Sequence, residues 1–189
     1  MSELSFYPDM LFLLKKSILK RIQVFRSKFY TPAKVRLLPG VFFTNGTIEF
    51  DAKGIGCSNK NLLGIAFHAQ DNSVYDAIYF KPYEYRPDGY ERGAHAVAYA
   101  AHPFGGLKKW RASKSVQYEK PICSAPNDDG WFHVKVRVTK SKVQVYINQQ
   151  QNAILEVSKL NHFESGYVGL FAGNGSNNRF ANVVIHKAE

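Results

Sequence analysis

Trp131-Phe132-His133-Val134-Lys135-Val136-Arg137-Val138-Thr139, then Lys140-Ser141, then Lys142-Val143-Gln144-Val145-Tyr146-Ile147-Asn148: this stretch alternates apolar and polar side chains twice, across a short link. Successive side chains of a strand point to opposite faces, so the pattern suits two strands that each bury one face. A link this short makes them a hairpin. Thr47-Ile48-Glu49-Phe50-Asp51-Ala52-Lys53 repeats the period. Further strand-like runs cover 62–69, 74–81, 94–101, 153–157, 166–172 and 180–186. Asn45-Gly46, Asp71-Asn72-Ser73, Pro87-Asp88-Gly89, Asn127-Asp128-Asp129-Gly130 and Asn174-Gly175-Ser176 punctuate them as turns. About nine short strands so punctuated predict an all-β chain, an antiparallel β-sandwich of the jelly-roll kind. Ile65, Phe67, Ile78, Phe80, Val134, Val136, Val145 and Leu170 are the expected core between its sheets.

The chain has 189 residues, 45% hydrophobic and 21% charged, which excludes wholesale disorder and allows a real core. No apolar run approaches the length of about 18 residues that a membrane-spanning helix needs. Lys and Arg number 25 and Asp and Glu 15, a net charge of +10. Residues 1–36 hold +6 of it and residues 37–189 only +4. The basicity is concentrated on an arm, so nucleic acid is not the expected partner. Within that arm Leu11, Leu14, Ile18, Ile22, Phe25 and Phe29 recur at helical steps, with basic residues between them. This predicts a basic amphipathic helix over 11–29, a candidate for weak contact with an anionic membrane or a protein, or for packing on the domain. It lacks the long apolar core and small-residue cleavage site of a signal peptide. Thr31-Pro32 marks its end. The expected organisation is an arm over 1–36 and a sandwich over 37–189. Cys57 and Cys123, the two cysteines, lack the spacing of a zinc or redox motif.

Three blocks carry a resemblance. They are Phe43-Thr44-Asn45-Gly46-Thr47-Ile48-Glu49-Phe50-Asp51; Gly64-Ile65-Ala66-Phe67-His68 with Tyr75-Asp76-Ala77-Ile78-Tyr79-Phe80-Lys81-Pro82; and the Trp131 hairpin closing with Gly166-Tyr167-Val168-Gly169-Leu170-Phe171 and Phe180-Ala181-Asn182. Together they resemble the concanavalin A-like lectin/glucanase superfamily. Within it they look most like keto-disaccharide hydrolase-like and laminin G-like domains, relatives of the sugar-binding modules of exo-inulinases and levanases. The resemblance covers about residues 38–187. It implies carbohydrate as ligand, a concave sheet that carries it, and an extracytoplasmic bacterial setting. Such domains begin with a strand before the Asn-Gly-Thr block, where this chain has its basic arm.

Parity then assigns faces. Leu63, Ile65 and Phe67 suit the core, leaving Gly64, Ala66 and His68 on the other face. Val74, Ile78 and Phe80 suit the core, leaving Tyr75, Ala77, Tyr79 and Lys81. Ala96, Ala98, Ala100 and His102 share one parity in the next strand. The expectation is an open trough lined by His68, Tyr75, Tyr79, Lys81 and His102, floored by Gly64, Ala66, Ala77 and Ala98. Trp110, in the basic loop Lys108-Lys109-Trp110-Arg111, is expected as a sugar-stacking platform at its rim, with a nucleic-acid contact or packing on the domain edge as the alternatives. Aromatic rings take the C–H faces of sugars, and polar side chains take their hydroxyls. An ordinary solvated sheet face is the alternative.

Covalent chemistry has weaker support. Glycosidases need two carboxylates about 5 Å apart or somewhat more, and the Glu-x-Asp-x-x-Glu run of the glucanase relatives is absent. Glu49 and Asp51 share a strand face. Asp76 shares parity with Val74 and Ile78, which suits a buried hydrogen-bonding acid, with metal or ligand contact, or catalysis, as the alternatives. The histidines show no zinc-binding cluster, and no phosphate loop or nucleophile elbow occurs. No cofactor and no metal is expected. Trp131 reads as structural. The expected function is carbohydrate binding on the concave face. A glycoside hydrolase of the keto-disaccharide hydrolase-like kind and a non-enzymatic adhesion or interaction domain are the alternatives.

Overall fold

The Trp131 hairpin forms as its alternation requires. In this structure, a computed structural model, the residues described are 20–22, 25–26, 34–54, 62–82, 96–103, 116–122, 130–173 and 178–188. They carry thirteen strands: β1 (Lys20–Ile22), β2 (Phe25–Arg26), β3 (Lys34–Phe43), β4 (Gly46–Lys53), β5 (Leu63–Ala69), β6 (Tyr75–Phe80), β7 (Val97–His102), β8 (Glu119–Lys120), β9 (Trp131–Val138), β10 (Lys142–Ile147), β11 (Leu155–Ser158), β12 (Gly166–Ala172) and β13 (Arg179–Lys187). A seven-stranded sheet runs β1-β13-β4-β9-β10-β11, with β2 also on β13, and a six-stranded sheet runs β3-β12-β5-β6-β7-β8. Every pairing is antiparallel. The expected sandwich is the observed one.

Between the sheets lies one apolar cluster. Ile48, Phe50, Val134, Val136, Val143 and Val145 meet Ile65, Phe67, Ile78, Phe80 and Leu170 there, so every expected core residue is in it. Each large aliphatic side chain so buried contributes about 1.5–3 kcal/mol. The two sheets differ on their outer faces. In β9 and β10 burial alternates strictly, whereas β5 and β6 are buried at every residue and β7 at all but its last.

The arm departs from expectation where it is described. Lys20–Ile22 and Phe25–Arg26 are strands against β13, not helix. Strand pairing with the otherwise unpaired edge of β13 satisfies their backbone groups, and this overrides an amphipathic period that only a long helix could use. The rest of the expected helix, 11–19 and 27–29 included, lies outside the described residues. The sandwich also starts earlier than position 37. β3 begins at Lys34, and Val35, Leu38 and Val41 are buried. It supplies the strand that the resemblance implies before Asn45-Gly46-Thr47.

A local irregularity in β5 has wide effects. From Gly169 to Tyr167, β12 advances two residues while its partner β5 advances three, from Ala66 to Ala69. The extra residue is a β-bulge, and His68 sits there with φ 50°. Gly166 lies against this bulge. A Cβ at Gly166 would stand 2.4 Å from the backbone carbon of His68 and 2.7 Å from the nitrogen of Ala69. Backbone cannot yield there without parting β12 from β5. Gly166→Ala is therefore expected to destabilise the fold by about 1–3 kcal/mol, read as a lower urea midpoint with an unchanged slope. An unchanged midpoint would contradict the close approach.

Candidate functional site

The register aligns the outer face of the six-stranded sheet in rows. One row runs Val35, Phe171, Gly64, Tyr79, Ala98, Glu119 across all six strands. The next runs Leu37, Gly169, Ala66, Ala77, Ala100. Tyr75 pairs with His102 beyond it. The structure thus brings Tyr75, Tyr79 and His102 together as parity predicts, with Gly64, Ala66, Ala77 and Ala98 on the same face. Tyr79 Oη lies 2.7 Å from His102 Nε2, and the Tyr75 ring stacks on His102 at 4.6 Å. Phe171 meets Tyr79 edge-on at 4.5 Å. Lys81 follows on the same parity, and its Nζ donates to Glu119 Oε1 at 3.3 Å.

Two corrections follow. The face is not an open trough: Tyr79 is 1% exposed and Tyr75 6%, and both belong to a second buried cluster with Val35, Ala66, Ala77, Ala100 and Phe171. Its rings pack on one another rather than awaiting a ligand, and Lys81 and Glu119 are buried too. His68 does not join them. The bulge turns its ring to the inter-sheet side, where it stacks on Phe43 and hydrogen-bonds the carbonyl of Thr44. Its Nδ1 stands 3.7 Å from Asp76 Oδ2. Asp76 is the buried acid that parity suggested, accepting from Tyr99 Oη at 2.9 Å, and Tyr99 in turn accepts from the Leu160 amide at 2.9 Å. Trp110, Cys57 and Cys123 lie outside the described residues.

Burial sets the electrostatics of the Tyr75–Tyr79–His102 group. It pushes the Tyr79 hydroxyl well above the ordinary tyrosine range, with Tyr75 adding to the effect. It raises Tyr75 as well, partly offset by the hydrogen bond to Tyr79. It lowers His102, against an opposing pull from the negative charge of Asp76. At neutral pH the group is uncharged and hydrogen-bonded internally, which suits packing rather than acid–base work.

The accessible polar surface lies on the other sheet. Outward-facing Trp131, His133, Lys135 and Arg137 line β9 at strand spacing, about 7 Å apart. Register places Glu49 beside Lys135 and Tyr146 beyond it, Asp51 beside His133, and Lys53 beside Trp131. His133 Nδ1 lies 2.8 Å from Asp51 Oδ1, and its Nε2 lies 3.3 Å from Glu49 Oε2. Asn182, at a bulge in β13 with φ 49°, donates to Asp51 Oδ2 at 2.6 Å. After β10 the chain turns through Asn148 and Gln149, both with positive φ, and Asn148 Oδ1 accepts from the His133 amide at 3.1 Å. That turn brings Gln149, Gln150 and Gln151 to a cleft of about 640 Å³ shared with Glu49, His133, Lys135, Arg137 and Tyr146. Trp131, expected to be structural, is 48% exposed.

Parity alone passed over this face because both sheets offer two. The discriminating signal was present in composition. Leu63–Ala69, Tyr75–Phe80 and Val97–His102 are nearly continuous in apolar and small residues, as strands buried on both faces are. Trp131–Val138 alternates with charges, as a strand with one wet face does.

The lowered His102 gives a pH dependence with a definite sign. The unfolded chain takes up a proton at this histidine near pH 6.5, before the native state does. Native stability is therefore full above that value and is lost as pH falls through it toward the lower native pKa. Thermal melts from pH 7.5 to 5 should show a smaller loss in His102→Asn than in the unaltered protein. Equal losses would contradict the burial account.

No protein-family model matches the chain, and no curated protein matches it. Solved structures do. A Bacillus subtilis protein of unknown function with a galectin-like fold is 14% identical, with a TM-score of 0.56 over 92% of this chain and 90% of its own. The carbohydrate-binding module CBM66 from Bacillus subtilis is 14% identical, with a TM-score of 0.50 over 92% and 98%. The exoplasmic/lumenal domain of VIP36, in its Ca2+- and mannose-bound form, is 13% identical, with a TM-score of 0.58 over 91% and 83%. At these identities the likeness is one of fold, an antiparallel two-sheet β-sandwich that this chain shares with them.

Proposed function

We propose that this chain binds carbohydrate along the outer face of the seven-stranded sheet and breaks no bond there. One observation carries the reading: the exposed ring of Trp131 stands in line with His133, Lys135 and Arg137, beside the cleft that Tyr146 and the three glutamines line. Such a face offers a ring for sugar C–H groups and fixed donors and acceptors for hydroxyls. Two chains that share the fold, CBM66 and VIP36, are by their names a carbohydrate-binding module and a mannose-bound domain, which supports the ligand class. An extracytoplasmic setting suits a module of this kind.

The hydrolase alternative would need Glu49 and Asp51 as its carboxylates. Asp51 is engaged at both oxygens, by His133 and Asn182, and Glu49 shares the same imidazole. These contacts favour a structural role, in which the two acids and His133 hold one another on the sheet face.

Trp131→Ala removes an exposed ring and should leave the fold intact. Taking stacking of bases on aromatic side chains as the scale, it should weaken binding to the oligosaccharide selected on a glycan array by about 1–3 kcal/mol. Tyr167→Ala, at the exposed Phe42–Tyr167 pair on the other sheet, should leave affinity unchanged. Titration calorimetry reads both. The reverse ranking would move the site to the six-stranded sheet.

A further inference from the structure

The charge on this face is not evenly matched, and that bears on the kind of sugar. A second cleft of about 310 Å³ adjoins the first, and Arg137 lines both. Lys140, His186 and Lys187 line the second cleft, and no acidic side chain does so among the described residues. The acids elsewhere on the sheet are already engaged. Glu49 and Asp51 hold His133, and Glu156 accepts from Lys142 and from Gln144, each at 2.8 Å. Lys135, Arg137, Lys140 and Lys187 have no carboxylate in ion-pair reach among the described residues. Cations thus run from Lys135 in the first cleft through the shared Arg137 to Lys140 and Lys187, and the acids of this face, Glu49 and Asp51, stand at one side against His133.

We infer that the saccharide is anionic, a chain bearing carboxylate or sulfate groups that Lys135, Arg137, Lys140 and Lys187 hold. The inference rests on the carbohydrate reading of the same face. Arginine supplies a planar fork that matches a carboxylate or a sulfate, and the lysines act as point charges that tolerate variable placement. A nucleic acid would satisfy the charges as well. It would also call for successive aromatic platforms along the clefts, whereas Trp131 stands at the far end of β9 from Lys140 and, among the described residues, Tyr146 is the one Tyr, Phe or Trp that lines them.

Calorimetry with the full chain tests this with four probes: an oligogalacturonate, its fully methyl-esterified form, a heparin-derived oligosaccharide, and a single-stranded DNA oligomer. The acidic sugar should bind about tenfold more tightly than its ester, as expected when about two or three exposed charge contacts are lost. Lys135→Gln and Arg137→Gln should each cost about two- to fivefold for the acidic chain and nothing for the ester. Preference for the heparin fragment over the galacturonate would assign the charge to sulfate, and the reverse to carboxylate; either supports the inference. Equal affinity for acid and ester would overturn it while leaving the carbohydrate reading standing. Binding to none of the three sugars, with a neutral glycan found by array, would overturn it in the same way. An empty array as well would remove the carbohydrate reading itself. DNA binding as tight as the best sugar would overturn the inference in favour of a general polyanion surface.

Discussion

Burial of every second side chain between two sheets is the constraint from which the rest follows. Ile48, Phe50, Val134, Val136, Val143 and Val145 from one sheet and Ile65, Phe67, Ile78, Phe80 and Leu170 from the other satisfy it. Once they are fixed, their neighbours have no choice of face. Lys135 must point outward because Val134 and Val136 point inward. Tyr79 must lie on the far face of the six-stranded sheet because Ile78 and Phe80 do not. The chemistry available to the protein is decided by what each outer face then meets. The six-stranded sheet has its outer face closed around Tyr79, Phe171 and His102. The seven-stranded sheet leaves its own to water.

In β5 one residue breaks the period, and surrounding contacts offset part of the cost. The bulge at His68 places a polar ring among Phe43, Phe67 and Asp76. Burying such groups is unfavourable unless they are hydrogen-bonded. Thr44 supplies a carbonyl to His68, Tyr99 a hydroxyl to Asp76, and Leu160 an amide to Tyr99, while His68 Nδ1 and Asp76 Oδ2, 3.7 Å apart, have no hydrogen-bond partner among the described residues. The chain of contacts ties β5, β6 and β7 to the segment after β11. It reads as a structural lock rather than a reactive group, since His68, Asp76 and Tyr99 are buried and line neither cleft.

Much of this was legible in the residues, for a physical reason. A period of two over Trp131–Val138 and Lys142–Ile147 admits only strands with one wet face, so the sandwich and its core could be read directly. Asp76 could be placed because its neighbours Val74 and Ile78 fix its parity. His68 could not, because one extra residue in β5 inverts parity beyond Phe67 and nothing in Gly64-Ile65-Ala66-Phe67-His68 marks where the bulge falls. The arm misled for a different reason. Ile22 and Phe25 fit a helical stripe, yet an open edge on β13 offered backbone hydrogen bonds that an isolated helix end lacks. The polar cleft was missed because His133, Glu49 and Asn182 are far apart in sequence and meet only through the register of β4, β9 and β13.

The central claim is that the seven-stranded sheet presents the working surface and the six-stranded sheet hides its own. Hydroxyl-radical footprinting of the free protein, read residue by residue by mass spectrometry, tests it without knowledge of the ligand. Trp131 and Tyr146 should oxidise readily, and Tyr75, Tyr79 and Tyr99 should be protected until the protein unfolds. Rapid oxidation of Tyr75 and Tyr79 in the native state, with Trp131 protected, would contradict the account and return the site to the six-stranded face.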